Sequence, residues 1–254
     1  MLVQSGATNL LIDAGLPLKT LAPLLARRGV SEHGLHGILL THEHPDHGTG
    51  AGPLSRRTGA PVIANEATLE AMVRKDDLPF ECRLLQTGNT LGIGSIGIRS
   101  FPVPHDAVEP VGYVLEVGDQ RVTYFTDAGS PTEVMQDALS GANLAVVEAN
   151  YDPDWLKNGA YTDALKARVA SETGHLSNTD CAEMIARRLE QEGSLSVWLA
   201  HLSRMNNSPS LARRSVLAHV SRRTKVPFAL DIALRDHPSV SWRMGERAVQ
   251  LSLM

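Results

Sequence analysis

Residues 41 to 47 read Thr-His-Glu-His-Pro-Asp-His. Three histidines and two acids in so short a stretch do not make a helix face or a strand face, because Pro45 interrupts either one. The preceding Ile38-Leu39-Leu40 has the composition of a buried strand, and small residues from Gly48 onward lead toward a helix. The cluster is therefore expected in a loop at a strand's end, where side chains converge. Imidazole and carboxylate are the donors a borderline dication such as zinc takes. His42 and His44, two apart, can reach one ion from an extended loop. Asp46 and His47, after the proline turn, can reach a second. The competing reading is a surface loop that is rich in histidine.

The same context recurs along the chain. Residues 2 to 13 predict strand, turn and strand, with Asp13 and Gly15 closing the second, and residues 17 to 28 a helix begun by Pro17 and stopped by Gly29. Helices are expected over 48–58, 67–75, 162–172, 179–192 and 208–222. Strands are expected over 61–64, within the glycine-interrupted 84–103, over 113–117 and 121–125 as a hairpin, over 144–147 and 197–200, and near 227–234 and 246–253. Ser177 with Asp180 resembles a capping box for helix 179–192. His42, His105, Asp127, Glu148 and His201 each follow an apolar strand. Strand ends gathered at one sheet edge are where α/β-type folds build sites. His33 and His36 read as turn residues with no functional part.

Bulk properties narrow the setting. The 254 residues are 43% hydrophobic and 20% charged, with a formal net charge of −4. This is globular composition, read as one domain over 1–254 with no repeat or linker. No apolar run approaches a membrane span, and the N-terminus lacks a basic region followed by an apolar core. Cys82 and Cys181, widely separated and without metal-ligand spacing, point to a reducing compartment, most simply the cytoplasm, and both are expected to be buried. Between Arg204 and Leu230 stand Arg204, Arg213, Arg214, Arg222, Arg223 and Lys225 with no Asp or Glu, a basic segment inside an acidic chain.

His-x-His-x-Asp-His after an apolar strand resembles the signature of the metallo-β-lactamase-fold hydrolases. That resemblance implies an α/β (α+β) chain folded as a four-layer αββα sandwich. It also implies two divalent ions, Zn or Mn: one on His42, His44 and His105, the other on Asp46, His47 and His201, with Asp127 bridging. Two dications about 3.5–4 Å apart hold a shared water as hydroxide at neutral pH and clamp the attacked oxygen. Asp46 can orient that hydroxide as well as ligate. The arrangement suits a phosphodiester or an acyl carbonyl, and the metal ligands alone do not choose.

His175 bears on the choice. A phosphodiester's leaving alkoxide needs a proton, which a loop histidine can supply with Glu148 to orient it; the plainer alternative is a histidine that packs ahead of the following helix. Gly-His before a small polar residue, shortly ahead of the last ligand strand, is similar to the nuclease branch related to RNase Z. The strings Leu-Leu-Ile-Asp-Ala-Gly (10–15), Pro-His-Asp-Ala-Val-Glu-Pro-Val-Gly-Tyr (104–113), Gly-His-Leu-Ser-Asn (174–178) and Ala-His-Leu-Ser-Arg-Met-Asn-Asn (200–207) resemble the YycJ/WalJ-type proteins. These are a bacterial subgroup described as DNA exonucleases, proposed to act 5′ to 3′. The resemblance implies a nucleic-acid substrate, DNA favoured over RNA, and leaves the oligomeric state open.

The chain departs from that subgroup in two places. Its members usually begin with a further strand, so an edge of the first sheet is expected to be lacking here. Tyr151 stands where many of them have a histidine. Competing readings are an RNase Z-like ribonuclease and a glyoxalase-II-like thioesterase or lactonase. The 21 residues between His105 and Asp127 leave no room for a tRNA-binding arm. An acyl hydrolase would leave His175 and the basic segment unexplained. A binding module that has lost its ligands is opposed by the presence of all of them.

Overall fold

The computed structural model describes residues 1–31, 33–74, 77–235 and 237–243. The expected terminal strand 246–253 and the last residue of the expected helix 67–75 lie outside the described residues. The fold divides into two compact units, one of Met1–Pro102 with Ala107–Gly118, the other of Val103–Asp106 with Asp119 onward.

In the first unit the strands β1 (Leu2–Ser5), β2 (Thr8–Ile12), β3 (Gly37–Leu39), β4 (Val62–Ala64) and β5 (Cys82–Leu84) form one sheet in that order. The β1–β2 pair is antiparallel and the rest are parallel. Parallel neighbours require crossovers. These are α1 (Leu18–Arg27), α2 (Pro45–Gly48) with α3 (Ala51–Thr58), and α4 (Glu66–Arg74). Leu21 and Leu25 of α1, Leu54 of α3 and Met72 of α4 pack with Leu11, Ile38 and Val62 of the strands as one buried cluster. Strands β6 (Thr90–Ile93), β7 (Ile96–Pro102) and β8 (Val111–Val117) add an antiparallel meander.

In the second unit β9 (Gln120–Phe125), β10 (Leu144–Glu148), β11 (Ser196–Ala200) and β12 (Ala229–Ile232) pair in parallel, in chain order. The helices are α5 (Glu133–Leu139), α6 (Pro153–Asn158), α7 (Asp163–Val169), α8 (Asn178–Glu192) and α9 (Pro209–Arg223). Every β10 residue is buried, as a central parallel strand requires. The Ser177 cap is present: its hydroxyl accepts from Asp180 N–H and donates to Asp180 Oδ2.

Three expectations are corrected. Pro45 does not break the helical conformation; it opens α2 at the first-turn position, where its missing N–H costs nothing. Helices α5 and α6 arise where none was expected: α6 also starts on a proline, and Asp152 caps it by accepting from Asp154 and Trp155 N–H. Cys181 is buried but Cys82 is exposed: β5 is the edge of its sheet, and all three of its residues are exposed. Among the described residues no helix is long and apolar enough to cross a membrane.

Candidate metal centre

The histidine cluster of the first unit is organised by a carboxylate that the sequence reading left without a role. Asp13 follows β2 with its backbone in the left-handed region, at φ 55°. It accepts from Thr41 N–H at 2.9 Å, and its Oδ2 lies 2.8 Å from His47 Nδ1. The Thr41 hydroxyl is 3.0 Å from Asp13 Oδ1 and 3.0 Å from His42 Nδ1. Burial works to raise the Asp13 carboxyl, but its interactions with His47 and the Thr41 N–H outweigh it and hold it below the usual range.

An ionised carboxylate only accepts, so the one Thr41 hydroxyl proton goes to Asp13, and His42 Nδ1–H then donates to Thr41. His47 Nδ1–H donates to Asp13 directly. Both imidazoles therefore carry their lone pair on Nε2, the tautomer a metal ligand needs. The rings of His44 and His47 stand 4.6 and 4.3 Å, centroid to centroid, from that of His42. Asp46, on α2, is the exposed member, its carboxylate 48% accessible and 3.9 Å from His47 Nε2.

The loop's placement rests on close backbone approaches. A Cβ added at Gly15 would stand 1.5 Å from the Asp46 carbonyl oxygen, so only glycine fits there. From the other side Tyr113 donates its hydroxyl to Leu40 O at 2.7 Å and Val111 N–H reaches Thr41 O.

In the second unit Glu148, at the end of β10 and fully buried, is the hub. Its Oε1 lies 2.7 Å from His201 Nδ1 and 3.0 Å from His175 Nδ1. Its Oε2 accepts from Ala128 N–H at 2.9 Å and Leu176 N–H at 3.0 Å. Burial alone would raise this carboxyl, yet the hydrogen bonds from His175 and His201 bring it down from 4.5 to about 2. His175 is in turn raised: burial opposes its charge, but the Glu148 carboxylate prevails.

Nδ1 is again the bound nitrogen, and Nε2 is the donor atom that remains for chemistry. His105 repeats the arrangement, with Nδ1 donating to Gly174 O at 3.0 Å and Nε2 3.6 Å from Asp127 Oδ1. Burial lowers His105 and so favours its neutral, ligating form. Asp127 Oδ1 is also 3.5 Å from His201 Nδ1 and 3.6 Å from His175 Nδ1. Asp127, Glu148, His175 and His201 thus offer donor atoms within 4.8 Å of one another. Asp127 and His201 both adopt left-handed backbone, φ 57° and 55°. Such conformations cost a non-glycine residue roughly 1–3 kcal/mol and persist where surrounding structure imposes them.

Buried asparagines do part of that imposing. Asn150 Nδ2 donates to His201 O at 2.9 Å and toward Glu148 Oε1 at 3.3 Å. Asn207 donates to Ala149 O and to Asn178 Oδ1. The donor chemistry of both units fits divalent cations: neutral imidazoles held in one tautomer, with carboxylates beside them. Glu148 has no exposed surface with which to touch a substrate.

The family description "Beta-lactamase superfamily domain" matches residues 8–195. Exodeoxyribonuclease YycJ of Bacillus anthracis is 37% identical over 216 residues, 84% of this chain and 81% of that protein. Exodeoxyribonuclease WalJ of Streptococcus pneumoniae serotype 2 is 36% identical over 224 residues, 87% and 83%. Among solved structures, the metallo-beta-lactamase fold protein YhfI of Bacillus subtilis superposes with TM-score 0.70 at 21% identity, over 91% of this chain and 87% of that one. The protein is a metal-dependent hydrolase of mixed α/β architecture with the metallo-β-lactamase fold. It belongs to the beta-lactamase superfamily and, within it, to the YycJ/WalJ group.

Proposed function

We propose that this protein is a dimetal phosphodiesterase that shortens DNA from an end, 5′ to 3′ in the manner proposed for its group, in the upkeep of the bacterial genome in the cytoplasm. One ion would sit on His42, His44 and His105 and the other on Asp46, His47 and His201, with Asp127 shared. Ions held there would supply a water of lowered pKa and polarise the phosphoryl oxygen. Zn and Mn both suit such a donor set.

The remaining steps fall to the chain itself. Asp46, the exposed carboxylate, orients the attacking water. His175, protonated at Nε2 and anchored through Nδ1 to Glu148, delivers the proton to the leaving 3′ or 5′ oxygen. Asp13 and Glu148 keep the imidazoles in the ligating tautomer without touching substrate.

The observation that carries the reading is the 3.0 Å link of His175 to a carboxylate held at low pKa. A proton donor so prepared matters for an alkoxide leaving group and little for a thiolate. The naming of the YycJ and WalJ relatives as exodeoxyribonucleases supports DNA as the substrate.

The test is a paired hydrolysis assay on metal-loaded protein. Its substrates are 5′-phosphorylated single- and double-stranded DNA, a matched RNA and a thioester, with His175→Ala and Asp127→Ala beside the parent. Progressive DNA shortening lost in both variants is expected. RNA cleaved in preference to DNA would move the protein to the ribonuclease branch. Thioester hydrolysis that survives His175→Ala, with no nuclease activity, would overturn the proposal.

A further inference from the structure

Two arginines of the basic segment are engaged inside their own unit. Arg223 binds Glu183 and Glu190 of α8, and Arg213 donates to Leu230 O. A different cation is tied to the donors through one carboxylate. Arg168, near the C-terminal end of α7, belongs to the excursion between Asn150 and His175.

Its backbone is built against the donor loops of its unit. A Cβ added at Gly174 would lie 2.3 Å from the Arg168 carbonyl oxygen. His175 N–H donates to Val169 O at 2.9 Å. The Arg168 side chain reaches the residue that follows His105: Nε and Nη2 donate to Asp106 Oδ2 at 2.9 and 2.6 Å. The other Asp106 oxygen is 3.3 Å from His105 Nε2. A guanidinium is thereby fixed one carboxylate away from a nitrogen placed among the metal donors.

Stability is a weak reason for this ion pair. The Arg168 side chain is 65% exposed, and exposed pairs contribute little to stability. Electrostatics gives a stronger one. Asp106, Asp127 and Glu148 crowd negative charge into this unit's donor cluster, against which a polyanion must approach. The pairing with Asp106 uses the Nε–Nη2 edge of the fork; the Nη1 edge is a second donor face, and its planar geometry matches two phosphate oxygens.

We propose that Arg168 forms a phosphate-binding subsite that grips the backbone phosphate next to the scissile one, with Asp106 holding the guanidinium in place. The proposal deepens the nuclease reading and rests on it.

The test reads binding and not turnover. Fluorescence anisotropy of single-stranded DNA on the whole metal-loaded chain, every protein carrying His175→Ala so that cutting is suppressed, is measured for the parent, Arg168→Ala and Arg168→Lys. Each oligonucleotide carries one uncharged methylphosphonate, moved linkage by linkage in from either end. Arg168→Ala is expected to bind the unmodified strand about tenfold more weakly and to lose about one phosphate's worth of salt dependence. At one linkage the methylphosphonate that weakens the parent should cost the variant nothing further. Arg168→Lys should retain the salt slope and recover only part of the affinity.

Additive losses at every linkage, or unchanged binding, would overturn the subsite, as would a parent that does not bind DNA at all. Turnover with His175 intact, measured separately, keeps the two proposals apart. Linkage-specific coupling without cutting supports the subsite and sinks the nuclease reading; cutting without coupling does the reverse.

Discussion

The carboxylate of Glu148 lies 2.7 Å from His201 Nδ1, and strand register sets that distance. Glu148 ends β10, Ala200 ends β11, and the two are register partners in a parallel pair, so the next residue emerges beside the carboxylate. Glu148→Gln keeps the shape and removes the charge. Its amide can donate where the carboxylate only accepted, which shifts the proton of either imidazole onto Nε2. Metal affinity is expected to fall about 10–100-fold, the usual effect of losing such an orienting partner. A competition titration against a zinc chelator measures it, and unchanged affinity would remove Glu148 from the centre.

The same carboxylate fixes a pH response in the metal-free protein. Its pKa is depressed on folding from 4.5 to about 2. A depressed carboxyl contributes fully above its unfolded value, and that contribution is lost as pH falls from about 4.5 toward about 2. Urea midpoints of the metal-free chain should drop through this window, and Glu148→Gln should flatten the drop. An identical acid limb in parent and variant would contradict the assignment.

Asp13→Asn probes the first unit in the same way. Asparagine tolerates the left-handed backbone at φ 55°, so the fold should be retained. Its amide offers His47 Nδ1 a donor in place of an acceptor. Metal affinity is expected to fall about 10–100-fold, and the metal-free chain should lose some stability near neutral pH, since a carboxyl depressed on folding contributes to it. Nitrogen chemical shifts of the His42 and His47 rings give the tautomer directly; an unaltered proton on Nδ1 would count against the relay through Thr41.

Gly15→Ala should be costly out of proportion to one methyl group, because its Cβ would meet the Asp46 carbonyl oxygen at 1.5 Å. Overpacking of this kind costs typically about 1–3 kcal/mol, and here the backbone of the ligand loop itself must move. Gly92→Ala is the control, since nothing lies within 4 Å of its added Cβ. Chemical denaturation should separate the two variants, and equal stability would show that the loop yields freely.

Much of the candidate site was legible because the residues proposed for it are either contiguous, as in His42 to His47, or placed directly after apolar strands, as are His105, Asp127, Glu148 and His201. What the sequence hid depends on partners distant in the chain. Asp13 reads as the close of a strand until His47, 34 positions later, is seen on its carboxylate. Its place after an apolar strand was the same signal that marked the others. Asn207 is 57 positions from the Asn150 carbonyl it binds, and no spacing rule reaches that far. Helix α2 was missed because proline was read as a breaker when it stood at a first turn. Helices α5 and α6 are only 7 and 6 residues long, too short to show a period. The exposure of Cys82 follows from edge position, which a strand's own residues do not reveal.

His175→Ala gives the sharpest reading of the chemistry. As a proton donor, His175 matters in proportion to the basicity of the leaving group. Cleavage of a DNA linkage expels an alkoxide, so the variant should lose about 10²–10⁴-fold in kcat/KM. A nitrophenyl ester of a thymidine phosphate expels a stable phenolate that needs no proton, and its hydrolysis should fall less than about tenfold. The pH profile follows from the same role. The pKa of His175 is raised on folding, so the acid form persists to higher pH than for a free imidazole, and DNA cleavage declines as pH rises through it. That decline should be absent with the nitrophenyl ester. Equal losses on both substrates would assign His175 to positioning or metal binding, and zinc content measured on the purified variant would separate those two.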